Sequence, residues 1–293
     1  MSKEEKIFEY SKTRYNEVFN QTRERLDIET IKKSQKNTIS ENKRKDIENI
    51  AQLEAIKVTM TDGRLLFPND IPLLWNSIYK AHLYRKSGIS DPEIVANAIS
   101  AAQSWKAASG HAFEYMTKDI ASLSFHGTSI RFILQKDLNI LLKAGELSNE
   151  VRDISWLKEQ VNTDNFDLFA VCENDSKTYC FGCIQCKTSI RDRVSRDREI
   201  SSTAMSAYFW SISVVLDGTY LNTPKYCTMV NGGDTPFIDN GWHGMYDLSG
   251  SHPIDRIYAL DVDFALLRSH AIQAKEAWFK QRQWFDKTWR AQL

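Results

Sequence analysis

The chain contains no apolar run approaching the roughly eighteen residues that a membrane-spanning helix needs, so a transmembrane protein is not expected. Its first residues, Met1-Ser2-Lys3-Glu4-Glu5-Lys6, are charged and lack the apolar stretch of a secretory signal. No internal repeat or low-complexity tract is visible. There is no net charge: 38 Lys and Arg balance 38 Asp and Glu, which lends nothing to nonspecific nucleic-acid binding. None of the 6 histidines stands in HxH or HExxH spacing. These absences leave a soluble, cytoplasmic, globular protein as the expectation. The 42% hydrophobic content and 11% aromatics agree, since a disordered chain would carry fewer of both.

What is present begins with organisation. A length of 293 residues allows one large domain or two small ones. Up to about residue 58, apolar positions such as Ile7, Phe8, Tyr15, Val18 and Phe19 recur at helical spacing. Thr61-Asp62-Gly63 and Phe67-Pro68-Asn69-Asp70 read as turns, with a helix opening at Ile71. Asp91-Pro92 is a helix start, with a capping carboxylate before a proline. The stretch from Ala101 to Met116 reads as helix, with a break expected at Ser109-Gly110. Ser129 to Leu134 reads as a strand, and Trp156 to Val161 as a helix end or loop. Asn165 to Glu173 and Lys177 to Lys187 form two strands across a short polar link, a hairpin signal. Further on, Ser201 to Leu216 reads as a buried helix and Tyr226 to Val230 as a strand. Residues 234 to 256 read as a long functional loop, and Phe264 to Trp289 as an aromatic-rich helix serving as core or dimer contact.

Five cysteines include Cys180, Cys183 and Cys186 in CxxCxxC, a spacing that suits zinc or an iron–sulfur cluster. Their neighbours are aromatic and apolar with strand character. Positions three apart on a regular strand face opposite ways, so Cys183 is expected to point away from Cys180 and Cys186. Buried thiols in a reducing compartment are the expectation.

Candidate chemistry gathers on the two strands. Asp167 lies between Phe166 and Leu168-Phe169-Ala170-Val171, where a charge is costly unless compensated, and a divalent cation would compensate it. The bland reading is a strand-end carboxylate in solvent or paired with arginine. Lys187 ends the following strand, and a hairpin can bring it to Asp167, where a lysine can orient or deprotonate an attacking water. Gln185 stands two residues before the lysine, where many metal-dependent phosphodiesterases carry an acid. It can ligate weakly through its amide oxygen or point into the core, and the Cys186 backbone carbonyl is a further oxygen ligand. Glu114 is an ordinary acid on a helix, and His111 reads as structural. Arg191, Asp192 and Arg193 follow at once: guanidiniums read guanine O6 and N7 and a carboxylate accepts from cytosine N4, against a surface ion-pair cluster with Arg196, Asp197 and Arg198.

At these residues the chain resembles the type II restriction endonucleases of the PD-(D/E)XK superfamily, in the group that cuts CCGG or CCNGG sites. The likeness runs to the BsaWI kind and, more distantly, to the AgeI kind. It is carried by Ser104-Trp105-Lys106, by Ser109 through Glu114, and by Phe166-Asp167-Leu168. Phe181-Gly182-Cys183-Ile184-Gln185 with Lys187-Thr188-Ser189-Ile190-Arg191-Asp192-Arg193 continues it, then Asn231-Gly232-Gly233 and Gly241 through Tyr246. The resemblance implies an α/β fold: a restriction-endonuclease-like core with a central mixed β-sheet flanked by helices, plus an N-terminal helical part. Residues 1–100 would be that helical region, serving DNA contacts or dimerisation, and 101–293 the catalytic and recognition core. Asp167 and Lys187 match the metal-binding acid and catalytic lysine, and Glu114 the helix glutamate, which could hold the metal through water. Arg191, Asp192 and Arg193 match the readers of CCGG. In this group a second acid sits on a later helix; Glu199 is the nearby candidate, slightly early in spacing.

The implied activity is Mg²⁺-dependent hydrolysis of both strands of a palindromic duplex by a homodimer or higher oligomer, leaving 5′-phosphate and 3′-hydroxyl ends with a 5′ overhang. A hexanucleotide such as WCCGGW, TCCGGA or ACCGGT is the expected site. The alternatives are a repair or junction nuclease of the same fold, a noncatalytic DNA-binding protein, and an iron–sulfur protein.

Overall fold

In the computed structural model of the protein, residues 2–34, 38–89, 91–163, 165–189, 194–248, 254–282 and 285–292 are described. The chain divides into two compact units, Met1–Ser104 and Trp105–Leu293. Among the described residues no helix is long and apolar enough to cross a membrane.

The first unit is helical: α1 (Lys3–Ser34), α2 (Glu41–Leu66), α3 (Ile71–Ser87) and the beginning of α4 (Pro92–Ser124). Ile7, Tyr15 and Phe19 from α1 meet Ala51 and Ala55 from α2 and Leu74 and Ile78 from α3 in one apolar cluster. The buried positions of α2 are Ile47, Ala51, Ala55, Thr59 and Gly63, a mostly small-residue row at helical spacing that lets backbones approach. Thr61-Asp62-Gly63, expected as a turn, is therefore helix. A Cβ on Gly63 would stand 2.8 Å from both Leu74 methyls, so the glycine serves packing and not a bend. The turn falls at Phe67–Asp70, as expected, and α4 starts where its cap predicts: Asp91 Oδ1 accepts from the Glu93 and Ile94 amides at 2.8 and 3.1 Å. No break occurs at Ser109-Gly110, which α4 passes through.

The second unit is built on one mixed sheet. After α4 come β1 (Ile130–Leu134), α5 (Gln135–Ala144), α6 (Val151–Gln160), β2 (Leu168–Asn174) and β3 (Lys177–Ser189). Then follow α7 (Val194–Ser206), β4 (Trp210–Asp217), α8 (Pro224–Asn231), β5 (Gly244–Asp247), β6 (Ile257–Ala259) and α9 (Ala265–Lys280). The strands lie in chain order. β1, β2 and β3 pair antiparallel, whereas β3 through β6 pair parallel. Asp175 and Ser176, at φ 49° and 61°, make the two-residue turn between β2 and β3, a geometry whose twist matches the strands it joins.

Three expectations fail here for identifiable reasons. Ser201 to Leu216 is not one helix but the end of α7 and all of β4; the chain reverses at Tyr208, φ 63°, and the β-branched Ile212, Val214 and Val215 then fill a central strand. Tyr226 to Val230 is helix α8, started by Pro224 at its first turn. The stretch 234 to 256 is not only loop, since β5 lies within it.

The cysteines give a fourth correction. Val171 faces Cys180 but Ala170 faces Gly182, so Phe181 is an extra residue in β3, a β-bulge. The bulge resets the alternation. Cys180 and Cys183 fall into one core cluster with Phe169 and Phe209, while Cys186 lies on the opposite face with Phe181, Ile184 and Trp210. All three are buried, and burial pushes their thiols well above the ordinary range. Among the described residues no group of three or more His, Cys, Asp or Glu side chains forms a metal cluster.

Candidate active site

Three elements bring charged groups together at one end of the β2–β3 pair. Asp167 stands immediately before β2, between the buried Phe166 and Leu168. Its amide donates to the Ile184 carbonyl at 3.0 Å, and its Oδ2 accepts from the Cys186 amide at 2.6 Å. Lys187 lies at the end of β3, with Nζ 3.8 Å from Asp167 Oδ2. The hairpin thus brings the two residues together.

Asp197 completes the arrangement. It sits in the first turns of α7, and its Oδ1 is 3.6 Å from Lys187 Nζ. The lysine ammonium is therefore held between two carboxylates, which together carry one negative charge more than it neutralises. Sequence reasoning missed this acid, grouping Asp197 with Arg196 and Arg198 as a surface cluster. Asp197 and Arg198 in fact have different partners, because Arg198 turns to the Met229 and Asp239 carbonyls at 3.1 and 2.5 Å. Glu199 is exposed. Two positions along a helix rotate a side chain by roughly 200°, so Glu199 leaves α7 on nearly the opposite side from Asp197.

Glu114 reaches the same neighbourhood from α4, whose preceding residue, Phe113, is buried in the core. Glu114 and Asp167 line one cleft of about 340 Å³ with His111, Tyr115, Lys136 and Phe166. His111 Nδ1 is 3.2 Å from Glu114 Oε2, and Lys136 donates to the Tyr115 hydroxyl at 2.8 Å.

Burial pushes the Asp167 carboxyl up to about 6; Lys187 and the Cys186 amide oppose this, while Glu114 and Asp197 add to it through like charge. Three carboxylates near one ammonium is a site short of positive charge. Hard oxygen donors of this number suit a small divalent cation that takes one or two carboxylates and completes its shell with water and phosphate. The Cys186 carbonyl fits the same set. On a strand, N–H and C=O of one residue point to the same edge, and the Cys186 N–H points to Asp167. The oxygen donors present are of the kind that suit a hard divalent cation.

Gln185, the residue at the usual strand-acid position, is fully buried. Its Oε1 accepts from Trp242 Nε1 at 2.8 Å and its Nε2 donates to the Asp197 carbonyl at 3.2 Å. Arg191, Asp192 and Arg193 lie outside the described residues.

Comparison with known proteins places the chain in a family. The family model of the BsaWI restriction endonuclease, type 2, matches residues 148–284. The crystal structure of a pre-specific complex of restriction endonuclease BsaWI with DNA superposes with a TM-score of 0.77, is 44% identical, and covers 97% of this chain and 98% of that one. A specific complex of restriction endonuclease AgeI with DNA gives a TM-score of 0.35 at 18% identity, over 66% of this chain and 70% of that one. No curated protein matches. The mixed sheet with its flanking helices and the relationship to BsaWI define a type II restriction endonuclease, a class whose members are generally metal-dependent. Within that class, the chain belongs to the BsaWI restriction endonuclease family.

Proposed function

We propose that this enzyme hydrolyses both strands of a palindromic double-stranded DNA site with a CCGG core, as a Mg²⁺-dependent homodimer. The observation that carries the reading is Lys187 held between Asp167 and Asp197 at the end of β3, at 3.8 and 3.6 Å. The BsaWI relative, 44% identical, is described bound to DNA, which supports duplex DNA as the substrate here.

Asp167 and the Cys186 carbonyl would hold the metal, with Glu114 acting directly or through water. Of the α7 acids, Asp197 faces the lysine and Glu199 does not. Bound there, Mg²⁺ supplies positive charge that polarises the phosphate and offsets the negative charge of the leaving oxygen. Lys187 orients the water that attacks phosphorus in line. As the new P–O bond forms, the P–O3′ bond breaks; the attacking water gives up one proton and O3′ takes one up, giving a 5′-phosphate and a 3′-hydroxyl. Asp167 and Asp197 keep the lysine from swinging into solvent.

Arg191, Asp192 and Arg193 read the C·G pairs, guanine by guanidinium and cytosine by carboxylate. They begin four residues after Lys187 in sequence, which sets reading next to chemistry. A two-fold dimer matches a two-fold site, each subunit cutting one strand before the first C and so leaving a 5′ overhang. The site is a hexanucleotide of the type WCCGGW, TCCGGA or ACCGGT. Residues 1–100 serve DNA contacts or dimerisation.

Digestion of a sequenced plasmid with Mg²⁺, with both ends of each fragment mapped, tests this directly. Discrete fragments ending at CCGG-containing hexanucleotides are expected. Cutting that follows DNA structure instead of sequence, or fragments lacking CCGG at their ends, would sink the reading.

A further inference from the structure

Gln185 occupies the strand position from which an acid would reach a metal, yet its amide is engaged at both ends. The acceptor end takes the Trp242 indole N–H at 2.8 Å, and the donor end holds the carbonyl of Asp197 at 3.2 Å. Both Gln185 and Trp242 are buried, with exposures of 0% and 1%. The same Asp197 whose backbone Gln185 holds places its carboxylate 3.6 Å from Lys187. Gln185 and Lys187 leave β3 on the same face, two residues apart, so one strand face grips both the backbone and the side chain of Asp197.

α7 is anchored elsewhere by the buried Val194, Ala204 and Met205 and by polar contacts. Ser201 Oγ meets Ser211 Oγ of β4 at 2.7 Å, and Arg198 reaches the Met229 and Asp239 carbonyls. Of these contacts, the Gln185 amide is the one made to the Asp197 backbone itself. Trp242 is itself fixed next to His243, whose Nδ1 accepts from the Ser211 amide at 2.9 Å. The segment Gly241 to Tyr246 thereby connects to the catalytic end of β3 through one indole hydrogen bond.

We propose that Gln185, held by Trp242, is a positioning residue that sets Asp197 against Lys187, and that it is not a metal ligand. This rests on the nuclease reading above for its kinetic consequence, though not for its geometry. An amide suits the task and a carboxylate does not. One side chain must accept from an indole and donate to a carbonyl, and ionised glutamate has only acceptors.

The test uses the full-length chain with three substitutions. Gln185→Met keeps length and apolar volume but loses both hydrogen bonds. Gln185→Glu keeps the acceptor for Trp242 and sets an oxygen against the Asp197 carbonyl. Trp242→Phe removes the indole donor and leaves Gln185 in place. The cleavage rate of a duplex site at saturating DNA with Mg²⁺ is compared with affinity for the same duplex without Mg²⁺. For Gln185→Met the rate is expected to fall about 10²-fold, as for a catalytic group misplaced by about 1 Å. Affinity should stay near that of the unaltered chain, and crystal structures should show the Lys187–Asp197 pair opened. Gln185→Glu should lose a comparable factor, and Trp242→Phe should lose less in the same direction. The proposal is overturned if Gln185→Met cleaves at the unaltered rate, if rate and affinity fall together, or if Gln185→Glu matches or exceeds the unaltered chain, which would mark the position as a metal site. Failure of the unaltered chain to cleave any duplex would sink the nuclease reading instead. The Lys187–Asp197 separation in the Gln185→Met crystal structure would then decide the clamp alone, and an unchanged separation would overturn it.

Discussion

Replacing Lys187 by alanine removes the ammonium held between Asp167 and Asp197. Cleavage is expected to fall by at least about 10²-fold, the usual scale for losing a positioned acid–base group. Specific binding in a gel-shift without Mg²⁺ should persist, and cleavage near the unaltered rate would take Lys187 out of the mechanism. A second residue with a measurable signature is His243. It is buried, accepts from the Ser211 amide, and has its Nε2 2.7 Å from the Asp286 carbonyl, an arrangement that fits the neutral ring with the proton on Nε2. Burial, opposed by the Asp286 carbonyl and assisted by Arg256, pushes its pKa down from 6.5 to about 4. As pH falls, the unfolded chain therefore takes up this proton first. The stabilisation is fully present above pH 6.5 and lost on the way down to about 4, an effect of about 3 kcal/mol in all. Thermal melts should show the unaltered protein losing more stability between pH 7 and 5 than His243→Asn does; parallel losses would contradict it.

At the scale of elements, two contacts carry stability predictions. Asp153 of α6 is 2% exposed and meets Arg282, just past α9, at 2.5 Å. Arg282→Ala leaves that carboxylate only the longer contacts to Arg152 at 3.8 Å and the Asn149 amide at 3.5 Å, and a loss of up to about 3–5 kcal/mol is expected in a denaturant melt. Asp153→Asn with Arg282→Met should recover much of it. Gly182, beside the bulge, has little room for a Cβ: it would meet the Trp210 carbonyl at 3.0 Å and the Trp210 ring and Ala170 Cβ at 3.1 Å. Because the backbone and a buried indole yield little, Gly182→Ala should cost about 1–3 kcal/mol, and a melt that does not move would refute the packing argument. These elements also show what the sequence could convey. The β2–β3 hairpin and the start of α4 were legible because their signals are local: a polar two-residue turn and a capped proline. The boundary between α7 and β4 was not, since Ala204, Met205, Phe209 and Trp210 are all buried and an apolar run has no period to read. Asp167 announced itself as a charge inside an apolar strand. Asp197 did not, because an acid between arginines on a helix resembles any solvated face, and only packing against β3 gives it a partner.

For the whole molecule, the balanced 38 and 38 charges mean that affinity for DNA has to come from local placement and not from the total. Nonspecific binding should be weak and steeply salt-dependent, with Arg191→Ala or Arg193→Ala costing about 1–3 kcal/mol on the specific duplex and much less on a random one. Equal losses on both duplexes would make these residues phosphate contacts. Chelation should stop cleavage, and added Mg²⁺ should restore it; cleavage persisting in EDTA would remove the metal from the mechanism. The extra Phe181 in β3 has a further consequence for the intact enzyme. Sidedness along a strand is a matter of odd and even, and this residue sets the parity with which Gln185 and Lys187 arrive at α7 while Cys186 enters the core. A single-residue insertion or deletion between the bulge and the lysine would turn the ammonium inward and a cysteine outward. Changes of two residues would keep the sides and shift only the reach. Within this family, length variation in that stretch is therefore expected in even steps.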